Sequence, residues 1–361
     1  MTQRLFTPGP LTTDARVRAA MDRDWGSRDA DFIALTAELR SRLLGVVPGA
    51  AARHVAVPIQ GAGSYALEAA VATLIGAEHR LLVLVNGAYG RRMVEIARRM
   101  GRDVVALEWS EHEAVDPARV ATALAGDATI SHVALVQCET TTGLLNPVDA
   151  VARVVAEAGR VLIVDAMSGF GALPLDWGAT RIGAVLASSN KCLEGPPGIA
   201  FALVERDLLV EAKGRSPSLA FDLHDQARGF EADGQWRFTP PVQVVAGLVE
   251  ALRLHEAEGG APARLARYRR RYEILRAGME RLGYPLYLDP ALQAPIIATF
   301  RPRAGQEKFD FARFHDHLAR RGLVIYPGKL TAEPSFRVGC IGALEDGDFD
   351  ELIEAIGAYA D

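Results

Sequence analysis

Residues 132–168 read HVALVQCETTTGLLNPVDAVARVVAEAGRVLIVDAMS. The two ends, HVALVQ and RVLIVD, are runs of Val, Leu, Ile and Ala with no polar alternation. Strands covered on both faces read that way. Between them Val148, Val151, Val154 and Val155 recur at helical spacing and make one apolar face. Asn146 is placed to cap this helix, Pro147 to fill its first position and Gly159 to stop it. A buried strand, a helix and a second buried strand predict a mostly parallel sheet with helices on both sides.

The same grammar extends outward. HVAVPIQ, RLLVLVNG, DVVALEW, GAVLASS and GIAFALVE complete a set of seven apolar runs between about residues 55 and 205. The fold class expected is α/β: a large domain built on a seven-stranded, mostly parallel sheet flanked by helices. Past Thr239 the pattern changes. Two long helical stretches, 241–258 and 262–282, are split by Gly259 and Gly260. Strand-like APIIATF, a helix near 307–321, strand-like LVIYPG and FRVGCIG, and a helix near 345–359 come next. That mixture predicts a smaller α+β domain. The division expected is residues 16–250 for the large domain, and 1–15 with 251–361 for the small one.

Composition narrows the function. The chain has 361 residues, 49% of them hydrophobic, and a formal net charge of −5. No basic stripe favours nucleic acid and no basic amphipathic segment favours a membrane surface. The start, MTQRLFTPGP, lacks the apolar core of a signal peptide, and no apolar run reaches 18 residues. Cys138, Cys192 and Cys340 form no even framework, so a reducing, cytoplasmic setting is expected. His315 and His317, two apart on a helix, do not face the same way, and no metal is expected. The arginine-rich 263–276 reads as a solvated helix face.

In an open parallel sheet ligands collect beyond the carboxyl ends of the strands. The residues just past each apolar run are therefore the candidates for a binding site. Gly61-Ala62-Gly63-Ser64 comes after the first and opens a helix, where free N–H groups and the helix dipole favour phosphate. The same glycines would also serve a tight turn. Gly87-Ala88-Tyr89 comes after the second, Thr140 lies after VALVQ, Asp165 ends VLIV, and Ser189-Asn190-Lys191 ends VLAS. Singly, Asp165 could anchor a loop and Lys191 could pair with an acid such as Glu194. Together, an amine, a buried acid, an aromatic ring and a phosphate loop match pyridoxal 5'-phosphate. Lys191 would condense with its aldehyde and later move protons. Asp165 would face the ring nitrogen, Gly63 and Ser64 the phosphate, Tyr89 the ring face and Thr140 the phenolic oxygen.

With those residues placed, the chain resembles the pyridoxal-phosphate aminotransferases of fold type I. Within them it is similar to the class that holds the alanine–glyoxylate and serine enzymes. TPGPLTT, LVNGAYG, CETTTGLLNP, IVDAMSGFG, SSNKCLEG, GQWRFTPP, VIYPGKLT and FRVGCIG carry the resemblance, in order along nearly the whole chain. It implies Lys191 and Asp165 as catalytic residues. It implies Ala62, Gly63, Ser64 and Asn190 at the cofactor phosphate, with Thr239 reaching the phosphate of a neighbouring subunit in a homodimer with shared sites. Thr239, before two prolines, also reads as a helix cap. The resemblance places Gly9 beside the substrate and Arg337 on its acidic group, a role suited to a planar fork of donors. The branch it most resembles moves the amino group of 2-aminoethylphosphonate to pyruvate; an alanine– or serine–glyoxylate aminotransferase is the alternative. The chain departs from the usual pattern at Ala62, where a serine is usual, and at Gly169, His224 and Ala227.

Overall fold

The computed structural model describes residues 3–177, 181–306, 309–328 and 333–359. All seven apolar runs are strands of one sheet. In chain order they are β1 (His54–Gln60), β2 (Arg80–Val85), β3 (Asp103–Glu108), β4 (Ile130–Val136), β5 (Val161–Asp165), β6 (Ile182–Ser188) and β7 (Ile199–Glu205). They lie in the order β1-β7-β6-β5-β4-β2-β3. β7 runs antiparallel to both neighbours, and the remaining pairs are parallel. The sheet is therefore mostly parallel, as the uninterrupted runs predict.

The absence of alternation has a direct cause. Along β4, Val133 and Leu135 enter a core shared with helices Ala30–Gly45, Val148–Glu157 and Val242–Glu258. The intervening Ala134 and Val136 enter a second core, against helices Gly63–Leu74 and Ala88–Arg99. Successive side chains point to opposite faces, and both faces are covered. β3 is the exception. It lies at one edge of the sheet, and Asp103 and Glu108 at its ends are exposed.

A third core gathers Phe6, Tyr272, Leu275, Phe300, Phe314, Phe336 and Phe349. Its strands Ile297–Phe300, Phe336–Gly339 and Tyr326–Pro327 are antiparallel. The stretch LVIYPG is not one strand. Leu323–Val324 pairs in parallel with Arg4–Leu5, and Tyr326–Pro327 pairs with Phe336 and Arg337. The chain thus changes partner at Ile325, which is buried. The helix expected near 307–321 spans Phe311–Ala319; residues 307 and 308, and the last three residues of VIYPGKLT, lie outside the described residues.

Several local expectations change. Asn146 does not cap its helix, which starts at Val148 with Pro147 at the cap. The Asn146 amide instead exchanges hydrogen bonds with Asn86 at 2.8 and 3.2 Å and donates to Val136 O at 2.9 Å. Buried polar groups must be satisfied, and here that demand takes the side chain inward. Gly159 does end the helix, with φ +68°. Thr239 is not a cap either: helix Val242–Glu258 starts after Pro241, with no side-chain cap. Residues before proline are pushed out of helical geometry, so the two prolines hold Thr239 outside. The arginine-rich helix, Gly260–Arg281, is not simply a solvated face, because Arg264 and Arg271 are each 2% exposed.

One buried base makes a testable contribution to stability. His132 on β4 is 3% exposed, its ring centre lies 4.6 Å from that of His79, and its Nε2 has no hydrogen-bond partner. Burial, aided by His79 and Arg215, pushes it down to about 3. The unfolded chain binds this proton below about pH 6.5 and the native chain does not. Stability from this group is complete above that pH and falls as pH drops toward 3. Denaturant unfolding between pH 6 and 4 is expected to lose up to about 1.4 kcal/mol per pH unit less in His132→Gln than in the parent. Equal slopes would contradict the assignment.

Candidate active site

The carboxyl ends of β1, β2, β4, β5 and β6 meet at one edge of the sheet. A cavity of about 170 Å³ there is lined by Ala62, Gly63, Ser64, Tyr89, Arg92, Cys138, Asp165, Asn190 and Lys191, among others. Three wider depressions, of about 600, 640 and 450 Å³, lie elsewhere. Among the described residues, none of the three is lined by a lysine or borders the opening turn of the helix after β1.

Lys191 lies just past β6. Its Nζ donates to Pro8 O at 2.8 Å and Gly9 O at 3.1 Å. Burial, with Arg337 nearby, pushes the amine down to about 8. Gly9 is required where it stands: φ is +105°, and a Cβ would lie 2.5 Å from Asn190 O and 2.8 Å from Lys191 Nζ. The amine is thus held by backbone carbonyls, which are neutral, and remains easy to deprotonate.

Asp165 ends β5 and is 2% exposed. It accepts the Met167 N–H at 2.9 Å, and among the described residues no cation lies within ion-pair distance. Burial pushes its carboxyl up to about 7. A cation or N–H⁺ placed against it would hold it ionised.

The helix Gly63–Leu74 starts at the pocket, and Ala62 at its cap makes no side-chain capping bond. The Tyr65 N–H turns back to Ala62 O at 2.9 Å, and the N–H groups of Gly63 and Ser64 ahead of it are open to an anion. Arg92, one turn along the helix Ala88–Arg99 from Tyr89, reaches the same place. Its Nη1 lies 3.4 Å from Ser64 Oγ, and its guanidinium sits 4.8 Å from the centre of the Tyr89 ring.

Glu139 supports this side of the pocket from behind. Its buried carboxylate accepts the N–H of Tyr89 at 3.0 Å and the hydroxyl of Thr141 at 2.5 Å. Burial pushes its pKa up. Gly87 leaves room for it: a Cβ there would lie 2.1 Å from Glu139 Cγ. The adjoining Thr140 is buried, and its carbonyl accepts Arg337 Nη1 at 3.0 Å. Arg337 Nε donates to Pro327 O, also at 3.0 Å. Two carbonyls thus fix the plane of the guanidinium without neutralising its charge. Burial pushes its pKa down.

The structure therefore brings together Ala62, Gly63, Ser64, Tyr89, Asp165, Asn190 and Lys191, with Gly9, Thr140 and Arg337 at their border. Thr239 is not among them and is exposed. Arg92 and Glu139 were not singled out from sequence. The i, i+3 spacing from Tyr89 at a helix start was the available signal for Arg92. For Glu139 it was an acid ending an apolar run. Of the departures, Ala62 borders the pocket. A Cβ at Gly169 would lie 2.4 Å from Gln137 Oε1 and 2.7 Å from Leu173 Cδ1, and His224 and Ala227 are buried without lining the pocket.

The residue set fits the cofactor expected from sequence. A lowered amine, a buried carboxyl lacking a counter-charge and an open helix start are the three complements that pyridoxal phosphate needs. Comparison with known proteins agrees in fold and family. A model of "Aminotransferase class-V" matches residues 15–342. The chain is 50% identical, over 99% of its length and 96% of the relative's, to 2-aminoethylphosphonate–pyruvate transaminase 2 of a Polaromonas species. It is 48% identical, over 98% of its length and 95% of the relative's, to 2-aminoethylphosphonate–pyruvate transaminase of Pseudomonas aeruginosa. Among solved structures it superimposes on alanine–glyoxylate aminotransferase from Nostoc sp. with a TM-score of 0.90 and 25% identity, covering 99% and 95% of the two chains. Pyridoxamine–pyruvate aminotransferase from Mesorhizobium loti gives 0.89 and 25%, covering 99% and 92%.

The lowered amine is directly measurable. In the cofactor-free chain, acylation of Lys191, read by peptide mapping, is expected to rise with pH about a midpoint near 8. A midpoint at the ordinary lysine value of about 10.4 would contradict the pocket's electrostatics.

Proposed function

We infer that this chain, which belongs to the class-V aminotransferase family, transfers the amino group of 2-aminoethylphosphonate to pyruvate with pyridoxal 5'-phosphate, giving phosphonoacetaldehyde and L-alanine. The observation that carries the reading is the joint placement of Lys191 and Asp165 in one pocket at an open helix start, with Arg337 close enough to Lys191 to help lower its pKa. The names of the near-full-length relatives support the substrate pair. Such a reaction belongs to phosphonate breakdown, and the three free cysteines favour a cytoplasmic setting.

Bound, the cofactor would supply an aldehyde that condenses with amines and a ring that draws electrons from the carbon beside the nitrogen. The residues of the chain do the rest. Gly63 and Ser64, with Ala62 and Asn190 beside them, would hold the phosphate. Arg92 would add a charge-assisted donor on the side where Ala62 offers no hydroxyl. Asp165, ionised against the ring nitrogen, would keep that nitrogen protonated. Tyr89 would lie on the ring face and Thr140 by the phenolic oxygen. Lys191 Nζ, freed when the substrate amine takes its place, would accept the proton from the substrate carbon and return it to the cofactor side. Its depressed pKa makes the neutral form available near neutral pH.

Arg337 would grip the phosphonate in one half-reaction and the pyruvate carboxylate in the other, and Gly9 would leave the substrate room. Thr239, exposed in the single chain, would meet the cofactor phosphate of a partner subunit in a homodimer. The rival reading, an alanine– or serine–glyoxylate aminotransferase, has the likeness of fold on its side, at half the sequence identity.

Mixing the cofactor-loaded protein with 2-aminoethylphosphonate alone is expected to convert the visible absorbance to that of the aminated cofactor, and pyruvate to restore it. No change with this amine, but conversion by alanine or serine, would overturn the substrate assignment. Arg337→Lys is expected to raise KM for both substrates roughly tenfold or more. Arg92→Ala is expected to weaken cofactor binding by about tenfold. An unchanged cofactor Kd would remove Arg92 from the phosphate site.

A further inference from the structure

Among the described residues, Glu194 alone has a left-handed backbone without being glycine, φ +59°. A side chain with a Cβ adopts that conformation unfavourably, and glycine would adopt it freely. What holds Glu194 there is a set of contacts. Its N–H donates to Lys191 O at 2.8 Å, closing a turn that starts at the reactive lysine. Its Oε1 accepts the Tyr268 hydroxyl at 2.6 Å, Arg267 Nη2 at 3.1 Å and the Gly342 N–H at 3.0 Å. Arg264, buried, donates through Nη1 to Cys192 O at 2.7 Å and through Nε to Glu258 at 2.6 Å. Arg267 and Arg271 close the network on Gly342 O at 3.0 and 2.9 Å.

This network ties together three parts of the chain. One is the turn 191–194. The second is the long helix Gly260–Arg281. The third is Gly342, three residues past the strand Phe336–Gly339 that carries Arg337. Lys191, assigned to the cofactor, and Arg337, assigned to the substrate's acid, thus stand on segments pinned to one carboxylate. That carboxylate does not line the pocket.

We propose that Glu194 is a positioning residue: through Tyr268, Arg267 and Gly342 it fixes the separation between Lys191 and Arg337, and so sets how well an acidic substrate seats while its reacting carbon faces the amine. The proposal rests on the assignment of Arg337 to the substrate's acid. It uses the arginine-rich helix, which the reaction itself leaves unexplained.

The test is the binding of unreactive acids to the cofactor-loaded protein, measured by calorimetry with phosphonoacetate and, separately, propionate. Glu194→Ala is expected to weaken binding about tenfold, and Glu194→Gln, which keeps an acceptor oxygen, to stay within about threefold of the parent. In an Arg337→Lys background the Glu194→Ala penalty is expected to shrink below about twofold, because neighbours acting as one unit are not additive. A residue that served only stability would lower the melting temperature and leave these constants alone. Parental affinity in Glu194→Ala, or the same fold penalty in both backgrounds, would overturn the proposal. Should Glu194→Ala fail to fold, Tyr268→Phe removes a single donor and is expected to weaken binding severalfold, again only when Arg337 is present; no effect would overturn it equally. Coupling seen with propionate but no binding of phosphonoacetate would sink the phosphonate reading and leave the positioning role standing.

Discussion

A carboxyl group buried at the end of a parallel strand, with no cation against it among the described residues, is the constraint on which the site depends. Asp165 is 2% exposed and is pushed up to about 7. Burying a carboxylate without a partner is unfavourable by several kcal/mol, roughly, and folds resolve it by neutralisation or pairing. Among the described residues, no cation lies within ion-pair distance of it. Lys191, the cation just past the adjacent strand, is turned toward the carbonyls of Pro8 and Gly9. The two groups stay apart, each shifted toward its neutral form, with a cavity between them and an open helix start beside it. A flat ligand with an aldehyde, a basic ring nitrogen and a phosphate satisfies all three at once.

The sheet makes that arrangement possible. Parallel strands deliver every carboxyl end to one edge, so residues 62–64, 89, 140, 165 and 191 converge although they are far apart in sequence. The end of the site proposed for the substrate is built differently. Arg337 comes from an antiparallel strand of the C-terminal core, and its guanidinium is held by Pro327 O from the same core and Thr140 O from the sheet edge. The carbonyl of Thr140 is therefore a joint between the two cores, as is the carboxylate of Glu194. Both lie within a few residues of the chemistry.

The parts of this design that were legible in sequence are those written in local pattern. Seven uninterrupted apolar runs reported a sheet covered on both faces, and the small polar residues behind them reported its ligand edge. The helix break at Gly259 and Gly260, with φ of +109° and +72°, was equally readable. What escaped was decided by tertiary contact. Asn146 had the right type and place for a cap, and an inward partner, Asn86, claimed it. Arg264 and Arg271 sat in a charged run that reads as solvated, yet their partners Cys192 O and Gly342 O are distant in sequence and buried. The single stretch LVIYPG became two strands because the N-terminal arm took its first half. Glu139 was visible only as an acid ending an apolar run; its role depends on Gly87 leaving space for its side chain.

The account's central claim is that the amine at position 191 is the group that bonds to the cofactor. Borohydride reduction of the cofactor-loaded protein, with peptide mapping of the product, tests it most directly. The chain contains four lysines, so the other three, Lys213, Lys308 and Lys329, serve as internal controls. The account predicts one mole of cofactor per chain fixed to the peptide containing Lys191 and none on the others. Label on another lysine, or a peptide at 191 left unmodified, would contradict it.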